Sequence, residues 1–229
     1  MRKYLSFALK GIIFISALLG VLWMILTDGQ TAADGFGSLL YFTLQSNLWI
    51  GITALVLLLL GIVEQKCGYV LISEWMYVVK LVFTVSITLT GAVFCFLLAP
   101  ASRGAFSPWN LTDCLTHVIT PVLAIIDFFV DEYPIFYNKK QVLCVLVPPV
   151  YYLGFAALCS YLKVDFGGGS NYPYFFLNFN SPMGWFGVGG EIPYPFGTFY
   201  WILILFLFVL TLGYLYSWLN NKKIKRANG

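Results

Sequence analysis

Six apolar stretches, each long enough to cross a lipid bilayer, constrain this chain more than any other feature. A helix needs about 20 predominantly apolar residues to cross a hydrocarbon layer about 30 Å thick. Leu5–Thr27, Ser38–Val63, Trp75–Leu98, Leu111–Val130, Gln141–Leu162 and Thr198–Leu219 all qualify. Composition agrees: of 229 residues, 60% are hydrophobic and only 10% charged. Soluble domains are about a quarter charged, so this chain lacks the polar side chains to cover a water-facing surface. A soluble enzyme, a disordered chain and a disulfide-stapled secreted module are excluded. The expectation is an all-α, polytopic membrane protein: one six-helix transmembrane domain over residues 1–229.

The first stretch follows Arg2 and Lys3, as in a signal peptide. It is too long for one, and Ile25-Leu26-Thr27 offers no small-residue cleavage site, so it reads as a retained span. Orientation follows from basic residues in short loops. With the N-terminus inside, one face carries Arg2, Lys3, Lys10, Lys66, Lys139, Lys140, Lys222, Lys223, Lys225 and Arg226, and the other only Arg103 and Lys163. Both termini are therefore expected in the cytoplasm. The basic tail is a topology signal; no nucleic-acid reader accompanies it. Trp75, Trp109, Trp201 and Trp218 fall at span ends, where an interfacial aromatic belt would lie.

One connection differs from the rest. Residues 163–197, on the expected outer face, hold eight glycines, four prolines and ten aromatic residues, including Tyr172-Pro173-Tyr174. A long loop in a compact protein is usually functional or disordered, and this aromatic content argues against disorder. It is expected to fold back as a lid.

Polar groups inside spans are costly and carry the functional information. In the second span Thr43, Ser46 and Asn47 stand at i, i+3 and i+4 on one helical face, with Gln45 beside them. In the fourth, Asp113 lies one turn before His117, the only histidine, where a carboxylate can orient and stabilise an imidazole. At about 1.5 Å per residue, Thr43 lies about 6–8 Å and His117 about 9 Å below the outer ends of their spans. A hydroxyl and an imidazole at matching depth could form a nucleophile–base pair; interhelical hydrogen bonding is the plainer alternative for both clusters. Near the inner surface Lys80 and Asp127 share a depth and are expected to form a structural ion pair. Ser86, Thr88, Thr90 and Pro148-Pro149 read as packing and kinking features.

Cys67, Cys95, Cys114, Cys144 and Cys159 form no CxxC pair, and no second histidine completes a metal set, so they read as packing residues. Cys95, Cys114 and Cys159 each fall near an outer span end, where one disulfide could form. Asn110-Leu111-Thr112 matches a glycosylation sequon but abuts the membrane. No GxSxG elbow, HExxH, Walker loop or dinucleotide fingerprint is present.

Phe42-Thr43-Leu44-Gln45-Ser46-Asn47, Asp113-xxx-His117-xxx-Pro121 followed by Asp127, and the Tyr172-Pro173-Tyr174 loop together resemble the androgen-induced-gene family, and more closely its bacterial six-span membrane relatives. Animal members are transmembrane threonine hydrolases that cleave fatty acid esters of hydroxy fatty acids with a threonine and a histidine. The resemblance implies that Thr43 and His117 fill those roles. Gln45-Ser46-Asn47 departs from the animal pattern and leaves the ester open.

The resulting expectation is an intramembrane hydrolase of lipid-like or fatty-acyl esters. His117, oriented by Asp113, would activate Thr43; Gln45 or Asn47 would serve the oxyanion, with Ser46 a weaker candidate or an alternative nucleophile; Tyr172 and Tyr174 would cover substrate. No metal or organic cofactor is called for. The partners implied are the ester and membrane lipids, and the location a cell membrane, the bacterial inner membrane by the resemblance. Two alternatives stay open: a small carrier or lipid-binding protein whose polar cavity has the same lining, and a structural subunit whose polar residues only hold helices together.

Overall fold

The chain, seen in a computed structural model, is described over residues 2–27, 35–101, 110–131 and 135–227. Arg103 and Trp109 lie outside the described residues. Among the described residues six helices are long and apolar enough to cross a membrane: α1 (Arg2–Leu26), α2 (Phe42–Cys67), α3 (Glu74–Ala101), α4 (Leu111–Val130), α5 (Lys139–Tyr161) and α6 (Thr198–Ala227). Helices satisfy their own backbone hydrogen bonds, which hydrocarbon cannot do for them. Six crossings return both termini to one face, the terminal end; the long loop between α5 and α6 marks the loop end.

Helices α1 to α4 pack into a four-helix core, and α5 and α6 pack on the far side of α3. Small residues set the close approaches, as expected where van der Waals contact drives association. A Cβ added at Gly20 would stand 2.6 Å from Thr116 Cγ2, and one at Gly91 would stand 2.7 Å from the His117 carbonyl oxygen. Glycines on α1 and α3 thus press both helices onto the same turn of α4. At the far side Gly213 of α6 packs on Val145 of α5, 2.9 Å from an added Cβ.

Three irregularities interrupt the spans. Residues Phe94–Leu98 of α3 and Leu115–Ile119 of α4 form π-helical turns at neighbouring levels. In α5, a 3-10 turn over Cys144–Leu146 precedes Val147, where Pro148 and Pro149 occupy the first positions of the following segment. Proline lacks an N–H to continue the ladder, so the span changes pitch there.

The start of α2 differs from the expectation. The apolar run begins at Ser38, but Gly35–Leu40 is a 3-10 segment and Tyr41 is extended at φ −86°, ψ 140°. The helix begins at Phe42, which puts Thr43 in its first turn. Apolarity marks residues shielded from water, not residues that are helical. Trp201 also departs from the belt reading: it is buried among Phe175, Phe176 and Phe196. Trp75 and Trp218 are exposed. No disulfide joins any two of the five cysteines.

The long loop is ordered and folded back. Phe166 is fully buried, and its carbonyl accepts the Tyr41 hydroxyl. The adjoining Gly167-Gly168-Gly169 turn runs at φ of +111°, +61° and +78°, values that glycine adopts without a Cβ clash. Farther on, Phe175–Leu177 form a 3-10 turn against α6, and the Thr198 hydroxyl donates to the Asn178 carbonyl at 2.6 Å.

Candidate functional site

Thr43 and His117 meet. The Thr43 hydroxyl lies 3.3 Å from His117 Nε2. The imidazole is gripped from three directions. Its face stacks on Phe94, with centroids 3.9 Å apart and planes 12° from parallel. Its Nδ1 lies 3.0 Å from Thr116 Oγ1, 3.2 Å from the Asp113 carbonyl and 3.4 Å from Asp113 Oδ1.

These contacts assign the proton. The Asp113 carbonyl can only accept, and the Thr116 hydroxyl already donates to the Thr112 carbonyl at 2.9 Å. Nδ1 therefore carries the hydrogen, and Nε2 presents its lone pair to Thr43. The Thr43 hydroxyl donates to it, the arrangement a general base requires. Asp113 orients the ring through its main-chain carbonyl as well as its carboxylate, so the π-turn of α4 takes part directly: it turns backbone acceptors toward side chains. The Thr116 carbonyl in the same turn accepts from the Asn47 amide at 3.1 Å.

Depth also falls into place. His117 lies six residues along α4, about 9 Å from its end, yet it touches the first turn of α2. The α2 N-terminus is thus recessed below the end of α4, beneath the segment Gly35–Leu40 and the long loop. Non-helical backbone at such depth is tolerated where protein buries it, and Ser38 is fully buried.

The first turn of any helix leaves backbone N–H groups without intrahelical partners. At α2 these belong to Phe42, Thr43 and Leu44; the first main-chain bond of the helix is donated by Gln45 to Tyr41 at 3.3 Å. Tyr41 supplies no side-chain cap. Instead the Tyr174 hydroxyl, from the loop, faces the Phe42 and Thr43 main chain, the Thr43 side chain and Tyr152. Burial pushes the Tyr174 phenol above its ordinary pKa, so it stays neutral and keeps its proton to donate. N–H groups without intrahelical partners, met here by the Tyr174 hydroxyl and lying at the positive end of the helix dipole, suit a developing oxyanion.

The other residues singled out from sequence fall as follows. The Asn47 amide nitrogen donates to the Thr43 and Thr116 carbonyls, at 2.8 and 3.1 Å. Gln45 donates to the Leu39 carbonyl at 2.9 Å. Ser46 donates to the Thr43 carbonyl and pairs with Thr90 at 2.7 Å. All three brace the α2 start and the Thr43 turn. Tyr172 pairs with Tyr194 at 3.3 Å on the loop, away from Thr43. Asn110 of the sequon caps α4, accepting from Asp113 N at 2.8 Å. Phe94, Thr116 and Tyr152 were not legible as site residues, since an apolar ring, a helical threonine and a span tyrosine carry no signal of their own.

A pocket with a cavity volume of about 70 Å³ leads to this site. Thr43 and the Tyr152 and Tyr174 hydroxyls stand at one end, and α3, α5 and α6 supply apolar walls. His117 is behind Thr43 and does not line it. Compared with known proteins, the chain matches no family model, no curated protein and no solved structure at a significant level.

At the terminal end lies a second polar cluster. Lys80 meets Asp127 at 2.7 Å, inside a larger network: Lys80–Asp131 is 2.6 Å, Lys10–Asp127 3.1 Å and Lys10–Asp131 2.9 Å. The Ser6 hydroxyl adds a bond to Asp127 at 2.7 Å. Lys10 reads from sequence as a topology charge near the N-terminus, yet it is 4% exposed. Two cations and two anions balance, which is how buried charge is tolerated. Among the described residues no group of three His, Cys, Asp or Glu side chains is placed to hold a metal.

Proposed function

We propose that the protein is an intramembrane hydrolase of lipid esters, with Thr43 as nucleophile and His117 as general base. The observation that carries this reading is the relation of three features around one hydroxyl. Thr43 has an imidazole lone pair at 3.3 Å on one side, an apolar pocket on another, and beside it the N–H groups of its own helix turn, which have no intrahelical partners and face the Tyr174 hydroxyl.

His117 Nε2 takes the Thr43 proton as Oγ1 bonds to the ester carbonyl carbon. The oxyanion gathers charge at the α2 N-terminus, where the Tyr174 phenol can also donate. Nε2 then returns the proton to the leaving alkoxide, which departs as an alcohol and leaves an acyl-threonine. Water, deprotonated by His117, cleaves that ester, and Thr43 recovers its proton. Nδ1–H stays bonded to the Asp113 carbonyl and Thr116 throughout, which steadies the imidazolium formed in each half-reaction. Gln45 and Asn47 act as braces in this scheme, and the donors are backbone N–H groups and Tyr174.

A second reading, a lipid-binding carrier using the same pocket, draws on the almost wholly apolar walls. Turnover of fluorogenic acyl esters by protein in lipid vesicles separates the two. The hydrolase reading expects activity that falls to background in both Thr43→Ala and His117→Ala while the variants stay folded. Activity that persists in Thr43→Ala overturns the assignment, and a well-folded wild type without turnover favours the carrier.

A further inference from the structure

Helices α5 and α6 touch at only one end. Near the terminal end Gly213 of α6 seats on Val145 of α5. Toward the loop end they separate: among the described residues, the part of α5 beyond Val147 makes no substantial contact with α6. What fills the gap at the top is the loop. Tyr152 of α5, Tyr174 and Phe176 of the loop and Trp201 of α6 form a continuous aromatic row, with centroid distances of 6.3, 5.0 and 6.3 Å.

Below that row and above the Gly213 crossing, the helices flank the pocket that ends at Thr43. Pro149 and Leu153 face it from α5, and Ile202, Leu205 and Phe206 from α6. These five are partly exposed, in contrast to the buried Val145 and Val209 nearer the crossing. Protein leaves part of their surface uncovered, and on a membrane-spanning helix such surface meets the pocket or bilayer hydrocarbon.

We infer that this crevice beside the loop-end half of α6 is a lateral binding site for a single acyl chain, which enters from the bilayer between α5 and α6. The inference rests on the hydrolase reading for what happens at Thr43, but the binding site stands on its own geometry. The polar side chains that line the pocket are Thr43, Thr90, Tyr152 and Tyr174, linked to one another directly or through Ser46, and the rest of the lining is apolar, so its ligand is polar at one tip and apolar along its length. The opening faces lipid, so such a ligand need not leave the membrane. A long chain can trail out between the helices, whereas the aromatic row closes the direct path from the loop end. Leu153 and Leu205 then determine how much chain the crevice accepts, and Tyr152 and Tyr174 mark where the carbonyl stops.

The test uses the full chain in phosphatidylcholine vesicles with a long-chain fatty acid carrying a mid-chain diazirine. After irradiation, crosslinked residues are mapped by mass spectrometry in wild type and in Thr43→Ala, which removes the chemistry and leaves the crevice. The expected result is labelling of the crevice faces of α5 and α6, at and around Leu153 and Leu205, in both proteins. Leu205→Trp should lower labelling of Leu153 by about tenfold, as a filled hydrophobic slot does, and so should Ile202→Trp. Leu207→Trp, on the lipid-facing side of α6, should leave it unchanged. Labels spread evenly over lipid-exposed residues such as Leu203 and Leu207, or crevice labels indifferent to both filling variants, overturn the inference. Crevice labelling without ester turnover upholds it and defeats the hydrolase reading; turnover without crevice labelling does the reverse.

Discussion

Asp127→Asn tests whether the terminal-end cluster holds the bundle together. Asp127 receives Lys80 at 2.7 Å, Lys10 at 3.1 Å and the Ser6 hydroxyl at 2.7 Å, and is 2% exposed. The four charged groups sum to zero. Asparagine keeps the size and one acceptor but leaves two buried ammonium groups facing one carboxylate. Removing one partner of a buried pair costs about 3–5 kcal/mol, because the remaining charge has no solvent to return to. A protein of this length loses about 2–4 °C of melting temperature per kcal/mol, so a drop of roughly 6–20 °C is expected in detergent micelles. Ser6→Ala deletes one hydrogen bond to the same carboxylate, worth about 1.5–3 kcal/mol, and should lower it less. Combining Asp127→Asn with Lys10→Met restores neutrality and should recover part of the loss. The assay is thermal unfolding followed by intrinsic tryptophan fluorescence. An Asp127→Asn protein that melts with the wild type, or a double variant less stable than the single, would refute the reasoning.

Two further predictions concern the loop end and the cluster's edge. Gly91→Ala places a methyl 2.7 Å from the His117 carbonyl and 3.2 Å from Pro121, so α3 must back away from α4. Despite alanine's better helix propensity, a loss of about 1–3 kcal/mol is expected, with ester turnover reduced more than stability; unchanged turnover would mean that Phe94 and α3 do not position the imidazole. Burial pushes the Asp131 carboxyl up, but Lys80 and Lys10 more than reverse this and hold it below the ordinary carboxylate range. Its contribution is therefore present above about pH 4, the unfolded value, and is lost as pH falls through the lower folded value. Melting temperature should be flat from neutrality down to about pH 4 and fall below it, with the fall reduced in Asp131→Asn; a decline beginning near pH 6 would contradict the assignment.

The number and position of the spans were legible because length and hydropathy alone set them. One depth match was legible, since helical rise put Lys80 level with Asp127; Thr43 is level with His117 for a different reason, because the N-terminus of α2 is recessed and not because four more helical residues precede it. What sequence could not supply was adjacency. Lys10 sits eight residues from Arg2, so its charge counts toward topology until Asp127 and Asp131 are seen around it. The start of α2 was missed because Ser38, Leu39 and Leu40 extend an apolar run that is shielded by protein and is not helical. That four-residue shift, from Ser38 at the expected start to Phe42 at the actual one, also hid the proposed oxyanion donors. With Thr43 deep in a helix its neighbours' N–H groups would be spent, and side chains such as Gln45 and Asn47 were the natural candidates. In the first turn those N–H groups have no intrahelical partners and meet the Tyr174 hydroxyl, and the amide side chains instead brace carbonyls at the same junction. The lid was foreseeable from its aromatic content, whereas the reach of Tyr174 to the α2 N-terminus depends on the burial of Phe166 and the glycine turn beside it.

The hydrolysis proposed for the loop-end site depends on Thr43 being a nucleophile activated by His117. Intact mass of the purified protein after exposure to an alkyl fluorophosphonate tests it most directly, beside Thr43→Ala and His117→Ala. The expected result is one adduct on the wild type, mapped to Thr43 and lost in both variants. An adduct that persists in Thr43→Ala, or a folded wild type that takes up none, would contradict it.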